Sequence, residues 1–146
     1  MRIDTSRFGS IDIEPDDILL FPIGLIGLEH CRHWILLSDA DNEYVGWLQS
    51  ISAPDIALAV VSPRCYVPNY KVRIVKGDLI SLQLTDTDNT FVLVVVGKEE
   101  ETLTINLRAP ILINLDRRLG KQVVTKDDQP LKHIIAALPG TLRRSA

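Results

Sequence analysis

The sequence predicts a mainly β protein, a small antiparallel β-barrel-like domain with a short C-terminal helix. Apolar and polar residues alternate with a period of two along many segments, which is typical of strands. These segments are short and close together, and Pro, Gly, Asn and Asp separate them. Such spacing favours an antiparallel sandwich or a small barrel over βαβ units.

The predicted strands follow one another along the whole chain. In order they are SIDI, ILLF, WILL, YVGWLQSI, IALAVV, KVRIV, FVLVVV, TLTINLRA, ILIN and KQVVT. FVLVVV (residues 91–96) is apolar throughout, so we expect other elements to cover both of its faces. In TLTINLRA (residues 102–109) polar and apolar residues alternate, which predicts a strand with one wet face.

Two segments depart from the strand pattern. DLISLQL (residues 78–84) fits either a strand or a helical turn. DQPLKHIIAALPG (residues 128–140) has helical spacing, with an N-cap residue at its start and Pro-Gly at its end. The apolar positions of that spacing are Leu131, Ile134, Ile135 and Leu138. We therefore expect a C-terminal helix packed on the sheet, followed by a flexible tail at residues 141–146.

The 146 residues predict a single domain over residues 1–140. No segment approaches the roughly 20 apolar residues of a membrane span, and the N-terminus lacks the apolar core of a secretory signal. We expect a monomeric cytoplasmic protein without membrane contact. Cys31 and Cys65 are the two cysteines, and we expect both to be reduced and to act as small apolar packing groups.

Charge is distributed unevenly along the chain. Residues 1–107 carry 8 Lys and Arg against 16 Asp and Glu, whereas residues 108–146 carry 8 against 3. The acidic part should repel phosphate backbones and favour encounter with a basic partner. The basic part is small and is interrupted by Asp116, Asp127 and Asp128, so it does not indicate a nucleic-acid groove.

The residues do not form a recognisable catalytic or metal-binding motif. EHCRH (residues 29–33) has zinc-binding residue types, but a turn before a strand accounts for it better than a four-ligand site does. Asp86 and Asp88 lack the glycine and glutamate of an EF-hand and predict a turn. Glu99, Glu100 and Glu101 predict a solvated hairpin turn. We expect neither enzymatic activity nor a cofactor.

Gly24 and Gly27 in FPIGLIGLEH have the spacing of the GXXG loop that clamps RNA in KH domains. Here apolar residues fill the loop and its flanks look like strands, so we expect a sharp turn instead. Pro22 would end the preceding strand, and Leu25, Ile26 and Leu28 would pack over an open end of the barrel. Direct RNA binding by a small β-barrel, through this loop or the basic tail, stays open as the alternative function.

Four motifs occur in an informative order. They are FPIGLIGLEH, WLQS (residues 47–50), NLRAPILIN (residues 106–114) and RLGKQVV (residues 118–124). Together they resemble the flagellar assembly factor family, FliW, whose motifs are similar to F-P-x-G-[IL]-x-G-[FL]-E, L-Q-S, N-L-x-A-P-[IL]-x-[IL]-N and R-x-G-x-Q. The resemblance covers residues 1–126. The C-terminal segment departs from it, because many members end in a short extended segment.

The resemblance implies a β-barrel-like protein that acts by binding other proteins. Family members bind the translational regulator CsrA and antagonise it allosterically, and they bind flagellin near its helical C-terminal end. Flagellin and CsrA thereby compete for the factor, which couples the flagellin level to flagellin translation. Candidate partner-binding residues are Gln49, Asn106, Arg108, Asn114 and Gln122. Asn106 and Arg108 lie on the outward row of the strand predicted over residues 102–109, and Asn114 and Gln122 match motif positions of the family. Asn and Gln side chains can equally tie off turns and strand ends.

Overall fold

The computed structural model describes residues 1–85 and 90–137 and confirms a mainly β protein. Its strands are β1 (Arg2–Thr5), β2 (Gly9–Asp12), β3 (Ile18–Leu20), β4 (His33–Ser38), β5 (Val45–Ser50), β6 (Ala57–Val61), β7 (Phe91–Glu99), β8 (Thr102–Ile105), β9 (Ile111–Asn114), β10 (Leu119–Gln122) and β11 (His133–Ala137). The described residues also contain one α-helix, α1 (Lys76–Ser81), and two 3-10 turns, Pro15–Asp17 and Pro63–Cys65.

Seven strands close into a barrel in the order β3, β4, β5, β6, β7, β9, β10 and back to β3. Every neighbouring pair is antiparallel except β10 and β3, which run parallel where Leu119 lies beside Leu20. At this seam the Leu20 N–H donates to the Arg118 carbonyl over 2.9 Å. Because closure removes free sheet edges, it explains how many short strands form one stable unit, and it confirms the predicted barrel.

Large apolar side chains fill the barrel interior. Phe21, Trp34, Leu48 and Ile111 are among its fully buried residues. The indole N–H of Trp34 donates to the Cys31 carbonyl over 2.9 Å, so its one polar atom is paired. Burial of each such side chain stabilises the fold by roughly 1.5–3 kcal/mol.

The N-terminal hairpin β1–β2 covers the outside of β4. Side chains of β4 alternate, so that Trp34 faces the barrel core while Ile35 faces the hairpin. Ile3 and Ile13 pack against Ile35 in this outer cluster. Strand β1 (RIDT) is absent from the sequence predictions, although exposed and buried residues alternate along it.

Strand β7 belongs to two sheets. Its first three residues pair with β9, while Val96–Glu99 pair with β8. Leu93 pairs with Ile111 and Val96 pairs with Ile105. The chain therefore advances by three residues on β7 and by six residues on the side of β8 and β9. Three extra residues therefore lie between β8 and β9, and we call residues 106–110 the bulge. Both faces of β7 are covered, as predicted, because Leu93 and Val94 pack in different clusters.

The predicted C-terminal helix is wrong within the described residues, where His133–Ala137 form strand β11 on the outer edge of β8. Ile135 packs against the cluster around Tyr70, whereas Ile134 is exposed. An unpaired edge of β8 would need a partner, and two adjacent β-branched residues suit a strand. The pairing between strands therefore overrides the helical spacing. Residues 138–140, the tail at 141–146, and Asp86 and Asp88 lie outside the described residues.

Two further segments differ from expectation. KVRIV (residues 71–75) keeps its alternation, since Val72 and Ile74 face the core, but it pairs with no strand. The closed barrel leaves no edge for it. The ambiguous segment at 78–84 begins within α1. In contrast, the acidic run forms the expected hairpin turn, with Glu99 paired to Thr102 across Glu100 and Glu101.

Candidate functional site

A groove of about 450 Å³ lies where FPIGLIGLEH, the bulge and the end of β10 meet. It is lined by Leu25, Ile26, Leu28, Leu58, Val95, Gly97, Glu99, Thr104, Asn106, Arg108, Ala109, Gln122, Val124, Leu131 and Lys132. We call this surface the groove. It contains three of the five candidate residues: Asn106 and Arg108 from NLRAPILIN, and Gln122 from RLGKQVV.

Gln122 connects two of the motifs directly. Its side-chain carbonyl accepts from the Ile26 N–H over 2.9 Å, and its side-chain amide donates to the Ala109 carbonyl over 3.0 Å. The turn in FPIGLIGLEH and the bulge are therefore fixed to each other through one side chain. The expectation that a Gln at this position ties off turns is met, and a partner contact for Gln122 stays a prediction.

The turn in FPIGLIGLEH needs both of its glycines in the left-handed region. Gly24 has φ of 70° and Gly27 has φ of 84°, which L side chains rarely adopt. The Gly27 N–H donates to the Glu29 carboxylate over 2.9 Å, and this bond lowers the pKa of Glu29 below its usual value. Leu25 is buried in the barrel core and Leu28 packs on it, as predicted. The same prediction is wrong for Ile26, whose side chain is exposed.

Asn106 shapes the bulge from within. Its side-chain carbonyl accepts from the backbone N–H groups of Arg108 and Ala109, both over 3.1 Å. This local bond favours a turn over a continued strand, which ends β8 at Ile105 and contradicts the single strand predicted over residues 102–109. Thr104, expected on a wet face, is buried.

Tyr70 holds the bulge from the other side. Its hydroxyl donates to the Leu107 carbonyl over 2.7 Å. Burial, together with the nearby charge of Asp127, raises the pKa of Tyr70 to about 12. Sequence reasoning missed this residue, because nothing in VPNYK distinguishes a buried hydroxyl from an exposed one.

Arg108 stands at one end of the groove and is exposed. Its Nε donates to the Gln129 carbonyl over 2.9 Å. At another point of the lining, Lys132 Nζ lies 2.6 Å from Glu99 Oε1. These two charges neutralise each other, so among the described lining residues Arg108 supplies the remaining charge of the groove.

Exposed apolar side chains surround the groove. Ile26, Val124 and Leu131 are 56%, 63% and 49% exposed, and each belongs to a different segment. Sequence reasoning did not identify these residues as a site. The sequence contained one usable signal, the pair Val123 and Val124 at the end of a predicted strand. Since neighbouring residues of a strand face opposite sides, burial of Val123 makes Val124 face outward.

Gln49 and Asn114 lie elsewhere and have structural contacts. Gln49 is fully buried, and its amide donates to the carbonyls of Ser50, Pro54 and Ile56, which fixes the loop after β5. The Asn114 amide donates to the Leu82 carbonyl over 2.8 Å and thereby anchors the end of α1.

The groove offers shape and apolar contact rather than a visible reactive group. No His or Cys is among its lining residues. Within residues 1–85 and 90–137, no three His, Cys, Asp or Glu side chains are grouped as a metal ion would require. In EHCRH, Cys31 is buried in the core while His30 and His33 are exposed. Cys65, expected to pack internally, is exposed.

No helix in the described part of the chain is long and apolar enough to cross a membrane.

Comparison with known proteins gives one consistent family. The sequence model described as FliW protein matches residues 2–135. A flagellar assembly factor FliW of Bdellovibrio bacteriovorus is 38% identical, over 88% of this chain and 74% of that protein. The flagellar assembly factor FliW of Natranaerobius thermophilus is 33% identical, over 100% of this chain and 99% of that protein.

The fold agrees with the same assignment. A solved structure described as a crystal structure of the flagellar assembly factor FliW superposes with a TM-score of 0.87 and 30% sequence identity. The match covers 95% of this chain and 99% of that one.

Proposed function

Since the chain belongs to the FliW family of flagellar assembly factors, we propose that it works by binding two proteins, the translational regulator CsrA and flagellin. Bound to CsrA, it relieves the repression of flagellin translation allosterically. Bound to flagellin, it is withdrawn from CsrA. Unsecreted flagellin thus lowers its own synthesis.

The groove is the observation that carries this proposal. Three exposed apolar side chains from separate segments converge there, and apolar surface of that kind marks protein contacts. The charges of Glu99 and Lys132 cancel, so the lining formed by residues 1–85 and 90–137 lacks the row of cations that a nucleic-acid backbone requires. Its chemistry fits a protein partner better than RNA.

The role is that of a non-enzymatic, chaperone-like regulator, and we place it in the cytoplasm, where translation takes place. No cofactor enters the proposal, because the two binding events are sufficient to couple the flagellin level to translation.

The test is a competition between three purified components and the chain. The chain should bind CsrA, release CsrA from the flagellin messenger in a gel-shift assay, and lose that effect when excess flagellin is added. It should cause no shift when mixed with the RNA alone. If the chain binds neither protein, the proposal is wrong; if it shifts the RNA by itself, the RNA-binding alternative replaces it.

A further inference from the structure

We propose that a cavity separate from the groove binds an extended, acidic segment of a protein, which joins the sheet as an added β-strand. The cavity has a volume of about 500 Å³ and lies where the end of β6, the KVRIV segment (residues 71–75) and the start of β7 meet. We call it the strand cavity. It shares no lining residue with the groove, so the inference goes beyond the proposed function and does not depend on it.

At the rim of the closed barrel, the start of β7 has one open side. Residues 91–93 pair with β9 on one side. On the other side β6 ends at Val61, which pairs with Val94, and no described strand continues beside residues 91–93. Thr90 and Val92 line the strand cavity at this point. The cavity therefore lies where the next strand of a sheet would lie.

The KVRIV segment forms another wall of the strand cavity and has a free backbone. Val72 and Ile74 pack on the core while the residues beside them are exposed, as in a strand. In the described part of the chain, no backbone N–H or C=O of residues 71–74 makes a backbone hydrogen bond. Such a row of donors and acceptors can bind an extended chain. A helix would leave the row unused, because its own backbone groups are already paired.

Two cations determine the charge of the added segment. Arg64 and Lys71 line the strand cavity, and no Asp or Glu is among its described lining residues. The Arg64 Nε donates to the Tyr70 carbonyl over 3.0 Å, which holds the guanidinium beside the peptide group that joins Tyr70 to Lys71. Neither cation has a carboxylate partner within residues 1–85 and 90–137. An acidic side chain supplies that partner, and an arginine binds a carboxylate through two donors.

The walls also determine the order of residues in the added segment. Side chains of a strand alternate between two faces. Val72, Ile74 and Val92 provide an apolar wall, whereas Arg64 and Lys71 provide a charged one. A segment in which valine and glutamate alternate is complementary to both walls.

The first experiment titrates the full chain with three synthetic six-residue peptides and follows it by NMR. The acidic peptide alternates Val and Glu, the basic peptide alternates Val and Lys, and the third is the acidic peptide with methyl groups on alternate backbone nitrogens. The acidic peptide should shift the amide signals of residues 71–74 and 91–93. It should also slow hydrogen exchange at residues 71–74 by about tenfold or more, because their N–H groups become bonded. The other two peptides should bind about tenfold more weakly or less.

A charge reversal tests the assignment of the two cations. The double variant Arg64→Glu, Lys71→Glu should lose the acidic peptide and bind the basic one. The double variant Arg32→Glu, Lys98→Glu is the matched control, because both residues are exposed and lie outside the strand cavity. Thermal unfolding verifies that the variants fold, and Lys71→Glu alone repeats the test if the first double variant does not.

Three outcomes would overturn the inference. The first is equal binding of the acidic peptide and either of the other two. The second is the absence of shifts at residues 71–74 and 91–93 with about 1 mM acidic peptide. The third is a shift of these signals with protein concentration alone, which would assign the strand cavity to a second copy of this chain. None of these outcomes bears on the proposed function, which the competition between CsrA and flagellin tests separately.

Discussion

At the scale of single residues, the bulge depends on side chains that are distant in sequence. Tyr70 and Gln122 both bond to backbone carbonyls of the bulge, at Leu107 and Ala109. Each bond satisfies a carbonyl that the interrupted ladder leaves without a strand partner. Leaving a buried carbonyl without its donor lowers the free energy of unfolding by about 1–3 kcal/mol. Tyr70 and Gln122 should therefore stabilise the fold more than an exposed Tyr or Gln does.

For Tyr70 we predict a stability difference that depends on pH. Tyr70→Phe removes the bond to Leu107 and should lower the free energy of unfolding by about 1–2 kcal/mol at neutral pH. Burial raises the pKa of Tyr70 in the folded protein to about 12, above its ordinary value of 10.0. Its contribution is therefore complete below pH 10 and is lost as pH rises towards 12.

Urea unfolding of both proteins between pH 7 and pH 12 tests this. The difference between wild type and Tyr70→Phe should shrink above pH 10. Tyr44→Phe, at a residue that is 61% exposed, should leave the pH dependence unchanged. A constant difference across the whole range would contradict the prediction.

For Gln122 we predict a graded loss. Gln122→Ala removes both of its bonds and should cost about 1–3 kcal/mol of unfolding free energy. Gln122→Glu keeps the acceptor for the Ile26 N–H but loses the donor to the Ala109 carbonyl. Its free energy of unfolding should therefore lie between those of wild type and Gln122→Ala. Chemical denaturation measures all three. Gln129→Ala is the control, because its side chain makes no hydrogen bond within the described residues, and equal losses at both positions would refute the prediction.

At the scale of elements, alanine substitutions at the two glycines of the FPIGLIGLEH turn should lower the free energy of unfolding by different amounts. A Cβ at Gly24 would lie 2.6 Å from the Glu29 Cα, whereas nothing lies within 4 Å of a Cβ at Gly27. Both have positive φ. Gly27→Ala should therefore cost about 1–2 kcal/mol from backbone strain alone, and Gly24→Ala should cost more because of the added clash.

Equilibrium denaturation of the two alanine variants tests this order. Gly77→Ala in α1 provides the control, since Gly77 has neither a crowded Cβ position nor positive φ, and alanine there favours a helix. If Gly27→Ala is as destabilising as Gly24→Ala, steric crowding at Glu29 is not what distinguishes the two positions.

Local patterns predicted most elements of the fold but not those that depend on distant neighbours. Short apolar runs and period-two alternation identified β3 to β7, because each of these patterns is contained within the strand's own residues. Local patterns failed at residues 133–137, where the edge of β8 decides the conformation, and at residues 71–75, where the closed barrel offers no partner. Pairing depends on which edges remain open, and a single segment does not contain that information.

The sequence likewise predicted only part of the candidate site. Gln122 was identified from its motif position, and Asn106 and Arg108 from the outward row of a predicted strand. The fold places all three around one groove. Gln49 was placed on a strand face, but its full burial follows from the loop after β5 folding back over its side chain. The exposed apolar residues of the groove come from separate segments, so only closure of the barrel brings them together.

At the scale of the whole molecule, the acidic charge of residues 1–107 should act on a partner before contact. These residues carry an excess of eight negative charges. Some of them, including Asp41 and Glu43, are exposed in the loop between β4 and β5, far in sequence from the groove. Asp39 in that loop accepts from the Trp47 indole, which lowers the pKa of Asp39, so this carboxylate stays ionised at neutral pH.

We therefore predict that salt slows association with CsrA, because a protein that binds messenger RNA is expected to carry a basic surface. Electrostatic steering raises association rates by about tenfold or more at low ionic strength, and screening removes it as the Debye length falls to roughly 8 Å near 0.15 M salt. Stopped-flow mixing from 20 mM to 500 mM NaCl should show a falling association rate and a nearly constant dissociation rate. The double variant Asp41→Asn, Glu43→Gln should have a shallower salt dependence, because steering acts through the summed field of exposed charges. An association rate that does not change with salt would show that short-range contacts, and not the acidic body, bring the two proteins together.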